Sequence, residues 1–215
     1  MSRKAIQSGQ SLLDDAELSR VVQTLARMEP RFSGIVRRYG MPPLWPREPG
    51  FATLALLMLE QQVSLAQART IFQRVVAAAG EMTPQAVRSL GIDGLRAIGV
   101  TRQKSAYLHA LAEVLVEGDF DLQALHTLAD DVAARQLDAL RGVGQWTAQC
   151  YLVFALRRPD AFPAADLALM ESTRSLWRLR ARPSPEALLK RAEAWRPWRA
   201  VAARLLWHHY LSERA

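Results

Sequence analysis

Leu140-Arg141-Gly142-Val143-Gly144-Gln145-Trp146-Thr147-Ala148 sets two glycines around one apolar residue, between two stretches with helical apolar spacing. Glycine permits a positive φ and the close approach of a second backbone. The helix that follows presents unpaired N–H groups and the positive end of its dipole. Together these make a cradle for phosphate, with Val143 expected to turn into the core and pin the hairpin. A plain helix–turn–helix connection fits the same nine residues, so Gly-Val-Gly alone does not decide the function.

Outward from the hairpin, helix signals dominate. Leucine and alanine are abundant, and β-branched alternation is scarce. Apolar spacing predicts a helix over 14–28, which Pro30 should interrupt, and a short one over 32–39. Gly40 to Gly50 holds four prolines and two glycines in eleven residues, which forbids a helix. Further helices are expected over 51–62, 64–79, from the Thr83-Pro84 start, 91–98, 101–117, 122–128, 132–140, 146–157, 167–179, from Ser184-Pro185 to 195, and from Pro197 to about 212. The expected fold is all-α: a two-lobed bundle of eleven or twelve short helices, with an active-site cleft between the lobes. Residues 1–12 read as a flexible tail and 13–215 as the core, with the hairpin motif over about 137–157.

The chain has 215 residues, enough for one domain or two small lobes, and half of them are apolar. Lysine and arginine exceed aspartate and glutamate by 28 to 21, a net charge of +7. That excess suits a polyanion such as nucleic acid. The single cysteine, Cys150, excludes an intrachain disulfide and any four-cysteine zinc or iron–sulfur site. The longest nearly apolar run, 51–59, is too short to span a bilayer. A cytoplasmic chain is expected, at the nucleoid if bacterial, with no membrane partner and a monomer as the default. His109, His126, His208 and His209 lack metal-ligand spacing, and His208 and His209 read as surface or DNA-proximal.

The hairpin, followed by Arg157-Arg158-Pro159-Asp160-Ala161-Phe162-Pro163-Ala164-Ala165-Asp166, resembles the helix-hairpin-helix DNA glycosylase superfamily. Leu59-Glu60-Gln61-Gln62-Val63-Ser64, the segment from Gly99 to Leu108, and Trp195-Arg196-Pro197-Trp198-Arg199 with Leu205-Leu206-Trp207 extend the likeness over roughly 51–210. The branch it is most similar to is the 3-methyladenine DNA glycosylase II, or alkylation-repair, branch. The resemblance implies an enzyme that flips an alkylated purine out of double-stranded DNA and hydrolyses its N-glycosidic bond, leaving an abasic site.

It also implies roles. Asp166 falls on the catalytic aspartate, a carboxylate that stabilises the oxocarbenium-like transition state and orients or deprotonates water. Its other reading is an N-cap for the following helix; one oxygen cannot do both at once. Trp146 and Trp207 match aromatic positions of the base pocket, where a cationic base gains from π faces; core packing is the alternative. Tyr39, Trp45 and Tyr151 are weaker pocket candidates. Arg141, Gly142, Val143, Gly144, Gln145 and Thr147 are expected at the DNA, with Arg102, Lys104 and Arg174 as further phosphate contacts or plain surface charges. Gln62 matches the side chain that plugs the vacated stack, and Gln61 should face the DNA or the opposite base. No cofactor is implied beyond a structural Na+ or K+ held by the hairpin carbonyls of Leu140 and Val143.

Trp146 stands where the strand-cutting branch has a lysine nucleophile, so no amine is there to form a Schiff base and a monofunctional enzyme is expected. Ala165 replaces an acidic residue that often precedes the aspartate, and Cys150 replaces an aromatic found in close relatives, which changes the pocket. Residues 1–50 read as helical, in place of the β-rich extension of larger relatives. Two other classes compete: a non-catalytic helix-hairpin-helix DNA-binding module, which has no use for Asp166, and an all-α interaction protein whose positive charge is incidental.

Overall fold

A computed structural model describes residues 12–214 of the chain. Among them are eleven α-helices and two 3-10 turns, and no strand. The helices are α1 (Asp15–Met28), α2 (Pro30–Tyr39), α3 (Phe51–Glu60), α4 (Leu65–Ala79), α5 (Pro84–Ala97), α6 (Arg102–Glu117), α7 (Asp130–Asp138), α8 (Gln145–Phe154), α9 (Leu167–Leu176), α10 (Pro185–Ala192) and α11 (Arg199–Ser212). Except for Leu12, the expected N-terminal tail lies outside the described residues.

Side chains fix most helix starts. Asp14, Thr83, Thr101 and Ser184 each accept a hydrogen bond from a first-turn backbone N–H, and Ser64 with Gln67 forms a reciprocal capping box. Pro30 marks the expected break, since α1 ends at Met28 and Glu29 is extended. It opens α2 behind the Glu29 cap, where its missing N–H costs nothing. The expected helix over 122–128 is only a 3-10 turn, Ala124–Thr127, and the one from Pro185 ends at Ala192 before a 3-10 turn, Glu193–Trp195. Helices α8 and α9 stop short of their expected ends, and Arg157 and Arg178 beyond them take left-handed φ values of 50° and 51°. Gly91, with φ 69°, kinks α5 in two.

Helices α3 to α6 pack together as one group, and α1, α2, α9 and α11 as another. The α7–α8 pair attaches to the first group through α3. The hairpin between α7 and α8 is therefore anchored on one lobe, while α9, which Asp166 opens, belongs to the other. Arg204, fully buried in α11, ties the pieces together by donating to the carbonyls of Leu44 (3.0 Å) and Val153 (2.8 Å). Burial pulls its guanidinium down to about 10.

Candidate active site

Asp166 caps α9 and is buried, with 9% of its surface exposed. The loop before it is pinned in several places. The Asp160 carboxylate receives Arg199 Nε and Nη2, each at 3.0 Å, and also pairs with Arg196. The Phe162 N–H donates to Gln149 Oε1 (2.9 Å), and the Asp166 N–H to the Pro163 carbonyl (2.9 Å). Buried Arg158 holds the 3-10 turn by donating to the carbonyls of Leu125 (3.1 Å) and His126 (2.8 Å). A carboxylate at the end of such a loop has little freedom to drift.

Its two oxygens have different partners. Oδ1 accepts the Leu169 backbone N–H (3.0 Å), which is the cap, and the Trp207 indole N–H (3.0 Å). Among the described residues, Oδ2 accepts only the Trp146 indole N–H (2.8 Å). All three donors are neutral, so they lower the cost of burying the charge without cancelling it. Trp146 and Trp207 thus meet Asp166 through their N–H groups. The Trp207 ring is buried and stacks on Phe154 at 4.9 Å between centroids, while Trp146 is partly exposed.

Trp146, Cys150 and Phe154 are spaced by four on α8 and share one face of it. Across from them, Glu60 at the end of α3 holds Arg47 by two bonds, of 2.9 and 3.0 Å. The Arg47 guanidinium lies 5.1 Å from the Phe154 ring centre. Burial, with Asp166 and Glu60 adding to it, pushes the Cys150 thiol well above its ordinary value, so it stays protonated. No sequence motif singles out Arg47; the i, i+4, i+8 spacing from Trp146 to Phe154 is a signal that points to Phe154.

At the hairpin, Gly142 has φ +86°, and a Cβ there would sit 2.4 Å from the Tyr107 ring, so glycine is required on both counts. Gly144 is in ordinary extended backbone, and nothing lies within 4 Å of an added Cβ. What it contributes is the lack of a capping side chain, which leaves the first N–H groups of α8 open. Val143 is buried as expected, and Arg141, Gly144 and Gln145 are exposed.

Several side chains in the segments expected at the DNA have partners within the protein. Thr147 is buried, and its hydroxyl accepts the Gln61 amide (2.8 Å), which also donates to the Gly142 carbonyl (2.9 Å). Gln61 therefore braces the hairpin and does not face outward. Lys104 donates to the carbonyls of Leu59 (2.7 Å) and Gln61 (2.8 Å), and Arg174 is paired with Glu171 (2.6 Å). Arg102 and Gln62 are exposed, Gln62 with φ 58°.

The weaker pocket candidates lie elsewhere. The Tyr39 hydroxyl bonds to Glu213, and its ring packs edge-on to His208 and His209; Trp45 packs against His208. Tyr151 is buried, and its hydroxyl accepts the Gly50 N–H (2.8 Å). His209 is not on the surface. It faces α9 and bonds to the Ser172 hydroxyl at 2.9 Å.

A family model for the HhH-GPD superfamily of base excision DNA repair proteins matches residues 56–197. The chain belongs to this superfamily. A putative DNA-3-methyladenine glycosylase of Bacillus subtilis, YfjP, is 30% identical over 158 residues, 70% of this chain and 55% of that one. DNA-3-methyladenine glycosylase 1 of Schizosaccharomyces pombe is 28% identical over 209 residues, 91% of this chain and 92% of that one. The HhH-GPD chain thus spans about half of the bacterial relative and nearly all of the yeast one. A solved structure of the S. pombe 3-methyladenine DNA glycosylase in complex with abasic DNA superposes with a TM-score of 0.81, at 25% identity over 91% of this chain and 97% of that one. Among the described residues no helix is long and apolar enough to cross a membrane.

Proposed function

We propose that this protein is a monofunctional DNA glycosylase that removes alkylated purines of the 3-methyladenine type from duplex DNA, acting as a monomer with water as its co-substrate. The observation that carries this reading is the division of labour at Asp166: among the described residues Oδ1 has two donors, including the helix cap, whereas Oδ2 has one. A carboxylate oxygen accepts about two hydrogen bonds, so Oδ2 has a lone pair left for chemistry. The cap and the catalytic role fall on different oxygens.

Alkylation at purine N3 or N7 makes the base cationic. When the bond from C1′ to the base breaks, its electron pair goes to that base, which leaves neutral, and positive charge develops on the sugar. The un-neutralised Asp166 carboxylate stabilises that charge. Water then bonds to C1′ and gives up a proton to Oδ2, which leaves an abasic sugar. Trp146 offers the cationic base a partly exposed ring, backed by the stacked Trp207 and Phe154. The open N–H groups of Gln145 and Trp146 grip a phosphate, with Arg141 and Arg102 exposed nearby in sequence to the two helix starts. Neutral carbonyls such as those of Leu140 and Val143 suit a hard monovalent cation, Na+ or K+, which would add positive charge at the phosphate; the Leu140 carbonyl also accepts the Val143 N–H (3.0 Å).

No amine stands at the Trp146 position, and the Lys104 amine is engaged with carbonyls, which favours hydrolysis over strand cleavage. The test is base release from methylated duplex DNA by wild type and Asp166→Asn. Wild type should free 3-methyladenine or 7-methylguanine, leave strands intact until alkali is added, and form no borohydride-trapped adduct. Release of no alkylated base by wild type, or equal rates for Asp166→Asn, would overturn the proposal.

A further inference from the structure

The end of α3 is clamped from both sides. Lys104, in the first turn of α6, donates to two of its last carbonyls, Leu59 and Gln61, where the helix dipole is negative. The Gln61 side chain reaches the other way and donates to the Gly142 carbonyl of the hairpin and to Thr147 at the start of α8. Tyr107, one turn beyond Lys104, fills the space where a Gly142 Cβ would stand. The next residue, Gln62, is exposed and left-handed. For a residue with a Cβ that conformation costs on the order of 1–2 kcal/mol and persists only where the surroundings fix it. Two residues later Ser64 closes the capping box of α4. Gln62 and Val63 thus form a two-residue exposed tip with rigid footings, bonded through Gln61 to the loop that holds the phosphate cradle.

We propose that Lys104 and Gln61 are positioning residues that lock the Gln62 tip to the Gly142 hairpin, so that gripping the backbone also fixes the tip that enters the opened stack. This rests on the glycosylase reading above. Two of the three ammonium hydrogens of Lys104 are engaged by carbonyls, and its partly buried amine holds its proton less tightly than a free lysine does. It therefore acts on the DNA through Gln62 and not by touching phosphate itself.

The experiment compares one alkylated base in two settings: paired in a stable duplex, and unpaired in a short bubble between duplex arms. Only the first requires the stack to be forced open, while both offer the same phosphates. Lys104→Met should lower release from the duplex by roughly ten- to hundredfold, change release from the bubble by less than about threefold, and leave the salt slope of binding unaltered. Lys104→Arg, which keeps donors for the two carbonyls, should recover most of the duplex rate. Gln61→Met, which leaves α6 untouched, should reproduce the split and stands in if Lys104→Met does not fold. Equal losses on both substrates, or a salt slope shallower by about one as for a lost phosphate contact, would overturn the inference. Wild type inactive on both substrates would instead overturn the glycosylase reading.

Discussion

Asp166 and Glu60 are two nearly buried carboxylates, both close enough to Cys150 to raise its thiol, and the protein treats them in opposite ways. Glu60 is held by both Nη atoms of Arg47, so the pair carries no net charge. Asp166 has three neutral N–H donors and, among the described residues, no cationic partner. Both arrangements give each oxygen a donor, but only the second leaves a charge with no cation beside it. The neutral pair also supports the charged group, since Arg47 lies over Phe154, Phe154 stacks on Trp207, and Trp207 donates to Asp166. On the proposed function, one carboxylate does the chemistry, and the other belongs to the scaffold that holds it.

Asp166→Asn is the strongest way to break this contrast. Asparagine still caps a helix, so the fold should survive with a stability change of about 1 kcal/mol or less, while base release falls on the order of 10³-fold or more. An inactive but unfolded variant, seen by circular dichroism, would put Asp166 with Glu60 as a structural group. Next come the indoles. Trp146→Phe and Trp207→Phe each remove one charge-assisted donor, worth about 1.5–3 kcal/mol. Single-turnover rates should fall about ten- to hundredfold with little change in binding. A larger loss for Trp146→Phe would mark Oδ2 as the working oxygen; a larger loss for Trp207→Phe would reverse that assignment.

Glu60→Gln should show the opposite pattern. It strips a partly buried arginine of its counter-charge and should cost about 2 kcal/mol of stability, somewhat less than for a fully buried pair because Arg47 is partly exposed. For a chain of this size that lowers the unfolding midpoint by roughly 4–8 °C. The rate per folded molecule should change by less than about threefold. A large rate loss with an unchanged midpoint would make Glu60 a partner in the chemistry and end the contrast.

The sequence makes one of these carboxylates far easier to read than the other. Asp166 lies at a fixed distance from a glycine hairpin and directly before an apolar helix, so local spacing exposes it. Glu60 and Arg47 are thirteen residues apart, at opposite ends of α3, and only the fold brings them together. The helices were legible for a similar reason: caps at Asp14, Ser64, Thr83 and Thr101 and stops at Gly40, Gly80 and Gly118 are local signals. What was not legible was direction. Gln61, Lys104 and His209 read from the sequence as facing outward, yet each is engaged inward by a group distant in sequence: Gly142, the end of α3 and Ser172 respectively. Polar residues near a helix end carry no sign of which way they turn until a neighbouring element supplies the partner.

The smallest expected effect is also the most direct reading of the contrast, because Cys150 serves as a probe between the two charges. Burial is the main reason its thiol resists ionisation; Asp166 adds more to this than Glu60 does, and Arg47 works against both. A negative charge nearby disfavours the thiolate, so removing it lowers the pH at which the thiol ionises. Asp166→Asn should therefore lower the Cys150 titration more than Glu60→Gln, and Arg47→Met, which removes the opposing positive charge, should raise it. Infrared measurement of the S–H stretch against pH follows this one cysteine without any reagent having to enter the core. The order Asp166→Asn, Glu60→Gln, wild type, Arg47→Met, from the lowest titration to the highest, is what the separate charges around the thiol require; the double variant Glu60→Gln/Arg47→Met should lie close to wild type if the pair cancels its own field. If the double variant Glu60→Gln/Arg47→Met moved the thiol as far as Asp166→Asn, the pair would not be cancelling its own field, and both groups would have to be counted in the field that a sugar at Asp166 would meet.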